Sequence, residues 1–579
     1  MATSFFLPST SFSNYRVNQG CVNLHSGYWQ KGIRCFSVCL QKQKWDWKFY
    51  IMTNRNVSVH FVLKTFAATG SLEADVACNN QDSSGVSAPN NFLRSEKMAD
   101  CSSNPFDGMS DFERQLQELF NKIRTMIMKG DKSDAIDLLQ ANYEAVKEQM
   151  NAGSKGIEEA AILDIIALGY ILIGDLKFVR SLLSMMNGVV DIQKDDEPLL
   201  GSILMHMGSM YSTLGNFEKS MFAYQRVILI SESKHGRDST FLIKPLLGMA
   251  KSLGSIGRAT KALDIYQRVI NIIESSRGAK SEDLVVPLFG LGNLLMRERK
   301  ATDAEGPFTR ILKIYTKLYG QKDGRVGLAM CSLARVKFAK GNTAEAIDLY
   351  KNALQIIKDS SYMDLDDGVM ENMRIELAEL LHVVGRWKEG QQLLEECLLI
   401  TEKFKGKDHP SLATHYQNLA TSYSRLKNFA MAEHLLRASM DVISKAEGPD
   451  HPSITFPMLH LAVTLYNLKR DEEAEQLALE ALHIREKAFG KDSLPVGEAL
   501  DCLVSIQSRR GKHGAELLEL LKRVLKIQER EFGYESKEVM VTLKKVVFYL
   551  NKLGRKDEKF PLQRRLSTLR KKYKHIVQY

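Results

Sequence analysis

The stretch from Gly406 to Glu433 reads GKDHPSLATHYQNLATSYSRLKNFAMAE, and 42 residues on, Gly448 to Glu475 reads GPDHPSITFPMLHLAVTLYNLKRDEEAE. Both copies keep in register a Gly-x-Asp-His-Pro opening, a small residue (Ala420, Ala462), a polar turn residue (Lys427, Lys469) and a second small residue (Ala432, Ala474). Outward from this pair the turn recurs at Gly130, Gly174, Gly215, Gly257, Arg299, Gly341, Gly385, Gly511 and Gly554, at intervals of 41 to 44 residues. Such regularity means one supersecondary unit stacked repeatedly, a solenoid.

Each turn has small residues at fixed distances. Seven positions before it stand Ala167, Gly208, Ala250, Gly292, Ala334, Ala378, Ala420 and Ala462. Five positions after it stand Ala135, Ser220, Ala262, Ala304, Ala346, Gly390, Ala432 and Ala474. Val179 and the last two units break the pattern. Apolar residues recur around these sites at helical spacing, as in Leu435, Leu436, Ser439, Met440 and Ile443. The pattern predicts an amphipathic helix before the turn and another after it, crossing closely where nothing larger than a methyl intervenes. Glycine at the turn suits a helix end that needs positive φ.

Tyr416-Gln-Asn-Leu-Ala420, Tyr423, Asn428-Phe429 and Ala432-Glu433 together resemble a tetratricopeptide repeat, as do Leu461-Ala462, Tyr466, Ala474-Glu475 and Ala481-Leu482. The usual unit has about 34 residues, and this one is about eight longer. The added stretch carries a second landmark: Gly236, Gly278, Gly320, Gly406, Gly448, Gly490 and Gly533. Long repeats joined by Gly-x-Asp-His-Pro resemble the kinesin light chain type of array. The resemblance spans roughly residues 111 to 554 and is sharpest from 400 to 500. A HEAT-type solenoid has a compatible period, but the paired small residues and the Tyr/Phe positions favour the tetratricopeptide form. The expected fold is all-α: a right-handed superhelical solenoid of about eleven antiparallel helix pairs over 111–554. A basic amphipathic helix over 555–579 is expected to cap it.

Net charge is +10, and its placement matters more than its size. Residues 1–72 and 555–579 each carry +7, which leaves the repeats between them at −4. A nucleic-acid reader wants a basic face on its folded body, and this balance argues against one. The eight cysteines show no metal spacing, and their usage fits a reducing compartment.

The first 45 residues contain no acidic residue and many serines, the composition of an organelle transit peptide, and residues 1–72 are read as that peptide or as a disordered leader. Few arginines point to a chloroplast more than a mitochondrion, with an uninformative cytoplasmic leader as the other alternative. Residues 73–110 read as a polar linker. No run reaches the roughly 18–20 apolar residues of a membrane span. The stripe Leu562, Leu566, Leu569, Tyr573, Ile576 faces Arg564, Arg565, Arg570, Lys571, Lys572 and Lys574 across the last helix. That suits a cap, and peripheral membrane contact is the second use of such a helix.

No Gly-x4-Gly-Lys-[Ser/Thr] loop and no His-Glu-x-x-His helix occurs. His409 and His451 sit in equivalent turns, which assigns them a structural role. Neither an enzymatic function nor a metal or cofactor is expected. The expected function is a protein–protein interaction scaffold.

In the tetratricopeptide resemblance the first helix of each pair lines a concave face. Its inward positions fall about six and nine residues before the turn. The six-before set reads Ser209, Lys251, Asn293, Arg335, Glu379, Thr421 and Val463, and the nine-before set includes Glu376, Asn418 and His460. The expected peptide-binding residues are Lys251, Asn293, Arg335, Glu379, Asn418 and Thr421. An Asn amide can bond both the N–H and the C=O of an extended peptide, and Arg can grip a carboxylate in bidentate geometry. Kinesin light chains repeat this Asn in successive first helices. Here Glu376 and His460 flank Asn418 instead, a departure from the cargo-binding pattern. The light chains' N-terminal coiled coil is also not visible. A cytosolic motor–cargo adaptor is therefore the alternative to a plastid scaffold.

Overall fold

The computed structural model describes residues 111–153 and 156–576. The transit-peptide and linker expectations lie outside the described residues. The chain divides into two compact units, one ending at Glu298 and the other beginning at Arg299. Among the described residues there are 22 α-helices and no strand.

The first unit holds α1 (Asp111–Lys129), α2 (Lys132–Asn151), α3 (Ile157–Ile173), α4 (Leu176–Val190), α5 (Leu200–Thr213), α6 (Phe217–His235), α7 (Ile243–Ile256), α8 (Ala259–Arg277) and α9 (Val285–Arg297). The second opens with α10 (Ala301–Tyr319), α11 (Gly324–Ala339), α12 (Thr343–Asp359), α13 (Gly368–Val383), α14 (Trp387–Lys405), α15 (Ser411–Arg425) and α16 (Phe429–Glu447). It continues with α17 (Thr455–Asn467), α18 (Asp471–Phe489), α19 (Leu494–Arg509), α20 (Gly514–Phe532), α21 (Lys537–Lys552) and α22 (Lys556–Ile576). Within each unit, successive helices pack on one another.

Every anchor residue sits between the two helices of a pair and has positive φ, from 97° at Gly174 to 61° at Lys427. The chain there turns back through the left-handed region, which ends the first helix and frees its last carbonyls for capping. After Tyr423, for example, the N–H of Asn428 donates to the Tyr423 carbonyl at 2.9 Å.

The second glycine series ends the outer helices with φ of 82° to 99° and ψ near 160°, as at Gly406 (85°, 166°). That corner is open only to glycine. Three residues on, a short side chain accepts a backbone N–H and opens the next first helix. Ser239, Ser281 and Asp323 do so, at 3.3, 3.2 and 2.9 Å. His409 and His451 are the same device. Their Nδ1 atoms accept from the N–H of Ser411 and Ser453 at 3.2 and 3.3 Å.

The small residues meet as their spacing predicts. Ala167, Ala250, Ala334, Ala378, Ala420 and Ala462 are fully buried, and so are Ala135, Ala262, Ala304, Ala346, Ala432 and Ala474. Ser220 Oγ donates to the Gly208 carbonyl at 2.7 Å, which joins the two small sites of one pair directly. A Cβ on Gly390 would lie 2.8 Å from the Ala378 carbonyl oxygen.

Successive pairs are joined by arginines on the second helices. Arg268 donates to Glu232 at 2.7 Å and to the Arg237 carbonyl at 2.6 Å. Arg523 repeats the bonds to Glu486 and the Lys491 carbonyl, and Arg565 to Glu529 and the Tyr534 carbonyl. Each guanidinium satisfies a loop carbonyl and a carboxylate of the preceding pair.

The last helix buries Leu566 and Leu569 in a cluster with Leu521, Leu543, Val546 and Leu550. Part of its basic face is engaged by the preceding pair. Arg565 is drawn into the preceding loop, and Lys572 pairs with Glu535 at 2.5 Å, while Arg564, Arg570 and Lys571 stay exposed. The Tyr534–Glu535 loop supplies acceptors that periodicity alone does not reveal.

Candidate functional site

In the second unit, neighbouring first helices meet through side chains at three places. Arg335 of α11 lies 3.9 Å from Glu376 of α13. His382 of α13 bonds Ser422 of α15 at 3.1 Å. Asp501 of α19 pairs with Lys545 of α21 at 2.6 Å. The first of these contacts sets a six-before position, Arg335, beside a nine-before position, Glu376.

At the centre of this face are two carboxylates one helical turn apart. Glu376 is satisfied: Tyr350 Oη donates to it at 2.6 Å, and Arg335 stands beside it. Desolvation works against the Arg335 charge, but Glu376, the Cys331 thiol and the Tyr350 phenol outweigh it and hold its pKa above the ordinary value. Burial pushes the Cys331 thiol up to about 12, so it is unreactive.

Glu379 has no such support. It makes no hydrogen bond or ion pair with any described residue. Desolvation, reinforced by Glu376 and only partly opposed by Arg425, raises its carboxyl to about 7. The same side chain is exposed by surface area.

Arg425 stands on α15. Its counterparts two residues before other turns, Arg297 and Arg509, donate to the carbonyls of Gly254 and Tyr466 in the preceding first helix. Arg425 makes no hydrogen bond among the described residues. Its guanidinium lies 5.7 Å from the centroid of the Trp387 ring, which itself stacks on His382. Desolvation lowers its pKa, with Glu379 opposing.

Asn418 is 7% exposed on the same face. Its side-chain amide has no hydrogen-bond partner among the described residues and keeps contact with solvent. Thr421 turns inward to its own helix, Oγ1 donating to the Gln417 carbonyl at 2.9 Å. His460, in the position after Asn418, is kept neutral by desolvation, its pKa lowered to about 4. The structure thus gathers Arg335, Glu379, Asn418 and Thr421 on one face. Lys251 and Asn293 occupy the same register in the other unit, exposed on α7 and α9. That unit also buries a pair between His206 Nδ1 and Asp164 at 2.5 Å, which holds α5 against α3.

Sequence reading missed Tyr350, Trp387 and Arg425. The first two sit on second helices, outside the register searched. Arg425 stands two residues before its turn, a position where arginine recurs at 297 and 509, and that recurrence was the available signal.

Among the described residues no group of three or more His, Cys, Asp or Glu is placed to hold a metal ion. None of their helices is long and apolar enough to cross a membrane.

Family-level comparison matches tetratricopeptide repeats at residues 201–234, 282–359, 369–445 and 418–487. No curated protein matches the chain. Among solved structures, a Podosopora anserina kinesin light chain protein of nearly identical TPR-like repeats shares 21% identity, over 35% of this chain and 95% of that one, with a TM-score of 0.32. The quorum sensor NprR from B. thuringiensis, in its apo form, shares 12% over 65% and 99%, at 0.41. A Pyrococcus horikoshii signal transduction ATPase with a tetratricopeptide repeat sensor shares 15% over 68% and 53%, at 0.42.

Proposed function

For a chain that carries tetratricopeptide repeats, we propose a non-enzymatic scaffold that holds an extended peptide of a protein partner on its first-helix face. The observation that carries this reading is Asn418. Its amide makes no hydrogen bond to a described residue, and an arriving peptide backbone supplies both a donor and an acceptor for it. Arg335, Glu379 and Thr421 line the same face, with Lys251 and Asn293 at the matching register of the other unit.

The acid-free, serine-rich leader supports a chloroplast location, and with it a role in holding partner subunits during assembly. A fluorescent fusion of residues 1–80 tests the location: cytosolic fluorescence ends the plastid part of the proposal.

Asn418→Leu tests the binding face. Leu removes the amide at similar volume, so the melting temperature is expected to hold while peptide binding falls. A variant that binds as well as the parent would remove Asn418 from recognition.

A further inference from the structure

We infer that the outer face of α21 and α22 is a slot for one helix of a protein partner, a helix that is apolar along one stripe and acidic beside it. This is a second surface, separate from the first-helix face around Asn418.

The inner pairs define the slot. Counted from the turn of a pair, the same positions meet the first helix of the pair that follows. Ten before the turn, Asp501 pairs with Lys545 at 2.6 Å. Six before it, Arg335 stands 3.9 Å from Glu376. Three before it, Ser508 accepts from the Tyr549 hydroxyl at 2.6 Å. Two after it, Asp471 accepts from Arg509 at 2.8 Å. Six after it, Glu305 pairs with Lys337 at 2.8 Å, and Glu475 accepts from Gln507 at 2.8 Å. From pair to pair, one following helix lies against both members of the pair before it.

In the last pair these positions are Lys544, Phe548, Asn551, Lys556 and Phe560. All five are exposed, Phe548 by 51% and Phe560 by 62%, and Val541 extends the apolar stripe along α21 at 48%. Their chemistry is also changed. Where inner pairs offer Asp501, Asp471, Glu305 or Glu475, this pair offers Lys544, Lys556 and Phe560. The third position after the turn keeps its acid, Asp557, where Glu472 meets Arg510 at 3.2 Å. The side chains of Lys544 and Lys556 make no hydrogen bond or ion pair among the described residues.

Charge decides the occupant. A further repeat of the inner kind would bring a base, as Lys545 and Arg509 do, against Lys544 and Lys556, and like charges disfavour one another. A second copy docking by this same face meets the same repulsion. A membrane surface wants a long apolar stripe, but Leu566 and Leu569 of α22 are already spent in the core. An acidic helix answers both lysines and covers both rings.

The register also sets the spacing on the ligand. Lys545 stands nine residues before its turn and Arg509 two before, so the two contacts are seven residues apart on one helix face. Lys337 and Gln507, four before their turns, supply the contact between them. Transposed to this slot, the ligand carries a carboxylate against Lys544, an apolar residue five positions on against Phe560, and a second carboxylate seven positions on against Lys556. Covering the two rings supplies the affinity, and the exposed charges supply the selection.

The test uses the full-length protein and three fluorescein-labelled, lactam-stapled helical peptides of about 18 residues, built on Ala and Gln. Each carries Leu five positions after the first of two variable residues, which stand seven apart and are both Glu, both Gln or both Lys. The Glu peptide is expected to bind about tenfold more tightly than the Gln peptide, with the Lys peptide weakest and the preference shrinking as salt rises. Lys544→Glu with Lys556→Glu should reverse the order. Phe548→Ser with Phe560→Ser should weaken the Glu and Gln peptides about tenfold at unchanged melting temperature, since both rings are exposed. Asn418→Leu should leave all of this binding intact, so the failure of this surface and of the first-helix face are distinguishable. A Glu peptide no tighter than the Gln peptide, or a preference that survives Lys544→Glu with Lys556→Glu, overturns the inference. So does capture by phosphatidylserine vesicles with no peptide bound, which would give the face to a membrane. A dimer in sedimentation equilibrium that Phe548→Ser with Phe560→Ser dissolves would give it to a second copy, and overturns it too.

Discussion

Arg299, Lys427 and Lys469 hold φ of 62°, 61° and 67° at turns where the other units place glycine. A side chain in the left-handed region costs roughly 1 kcal/mol or more. Lys427→Gly and Lys469→Gly should therefore each stabilise the fold, by about 0.5–1 kcal/mol after the entropy glycine adds to the unfolded chain. Gly406→Ala should do the reverse and cost more, because φ 85° with ψ 166° lies outside what alanine tolerates. Urea midpoints of the three variants, at unchanged slope, would show both signs. These positions were legible in the sequence because a backbone constraint filters residue type directly. Asn418 was legible only as a register position. Its burial is set by helices 42 residues to either side, and a local pattern carries no trace of that. Glu379 was picked from its register too, but its isolation depends on Arg425 lying over Trp387 and not on the preceding helix end.

At the scale of the helix pair, the crossing is held open by a methyl group. Ala420→Leu or Ala462→Leu should force the helices apart and cost roughly 1–3 kcal/mol, read as a lower urea midpoint. No change in either variant would remove these alanines from the crossing. Here the sequence was read well, since two small sites in phase encode one contact. The arginine bridges between pairs went unread: Arg226, Arg268 and Arg310, then Arg523 and Arg565, recur 42 residues apart, but the units between these two runs lack them. The α13–α15 contact also carries a pH dependence. Desolvation, then the Arg425 charge, lowers His382 from 6.5 to about 4. Around it stand Arg425, Ser422 and the Trp387 ring. A group with a depressed folded pKa contributes stability that is complete above the unfolded value and lost as pH falls through the folded one. The protein should therefore weaken between pH 6.5 and 4, with His382 accounting for up to roughly 3 kcal/mol. His382→Gln should flatten that part of the stability–pH curve. An identical curve for the variant would place the acid sensitivity elsewhere, with His460 the next group to examine.

Over the whole molecule, stability is distributed and not pooled. Each helix packs chiefly on its sequence neighbours, so damage should stay near its source. The end of the chain is where this matters most. Without α22, one side of Leu521, Leu543, Val546 and Leu550 would face water, because Leu566 and Leu569 complete that cluster. The bonds from Arg565 and Lys572 to the Tyr534–Glu535 loop would go as well. Truncation after Gly554 should therefore lower the melting temperature of the terminal pairs first and broaden the transition. It should also promote association through the uncovered apolar surface. Partner binding at the α11–α15 face, several pairs away, should persist in whatever fraction stays monodisperse. Asn418→Leu should show the opposite pattern, with solubility kept and binding lost. Light scattering and peptide titration on the two proteins, run side by side, separate the two roles. A truncated protein that remains monodisperse yet loses its ligand would move recognition from the first-helix face to the basic C-terminal helix.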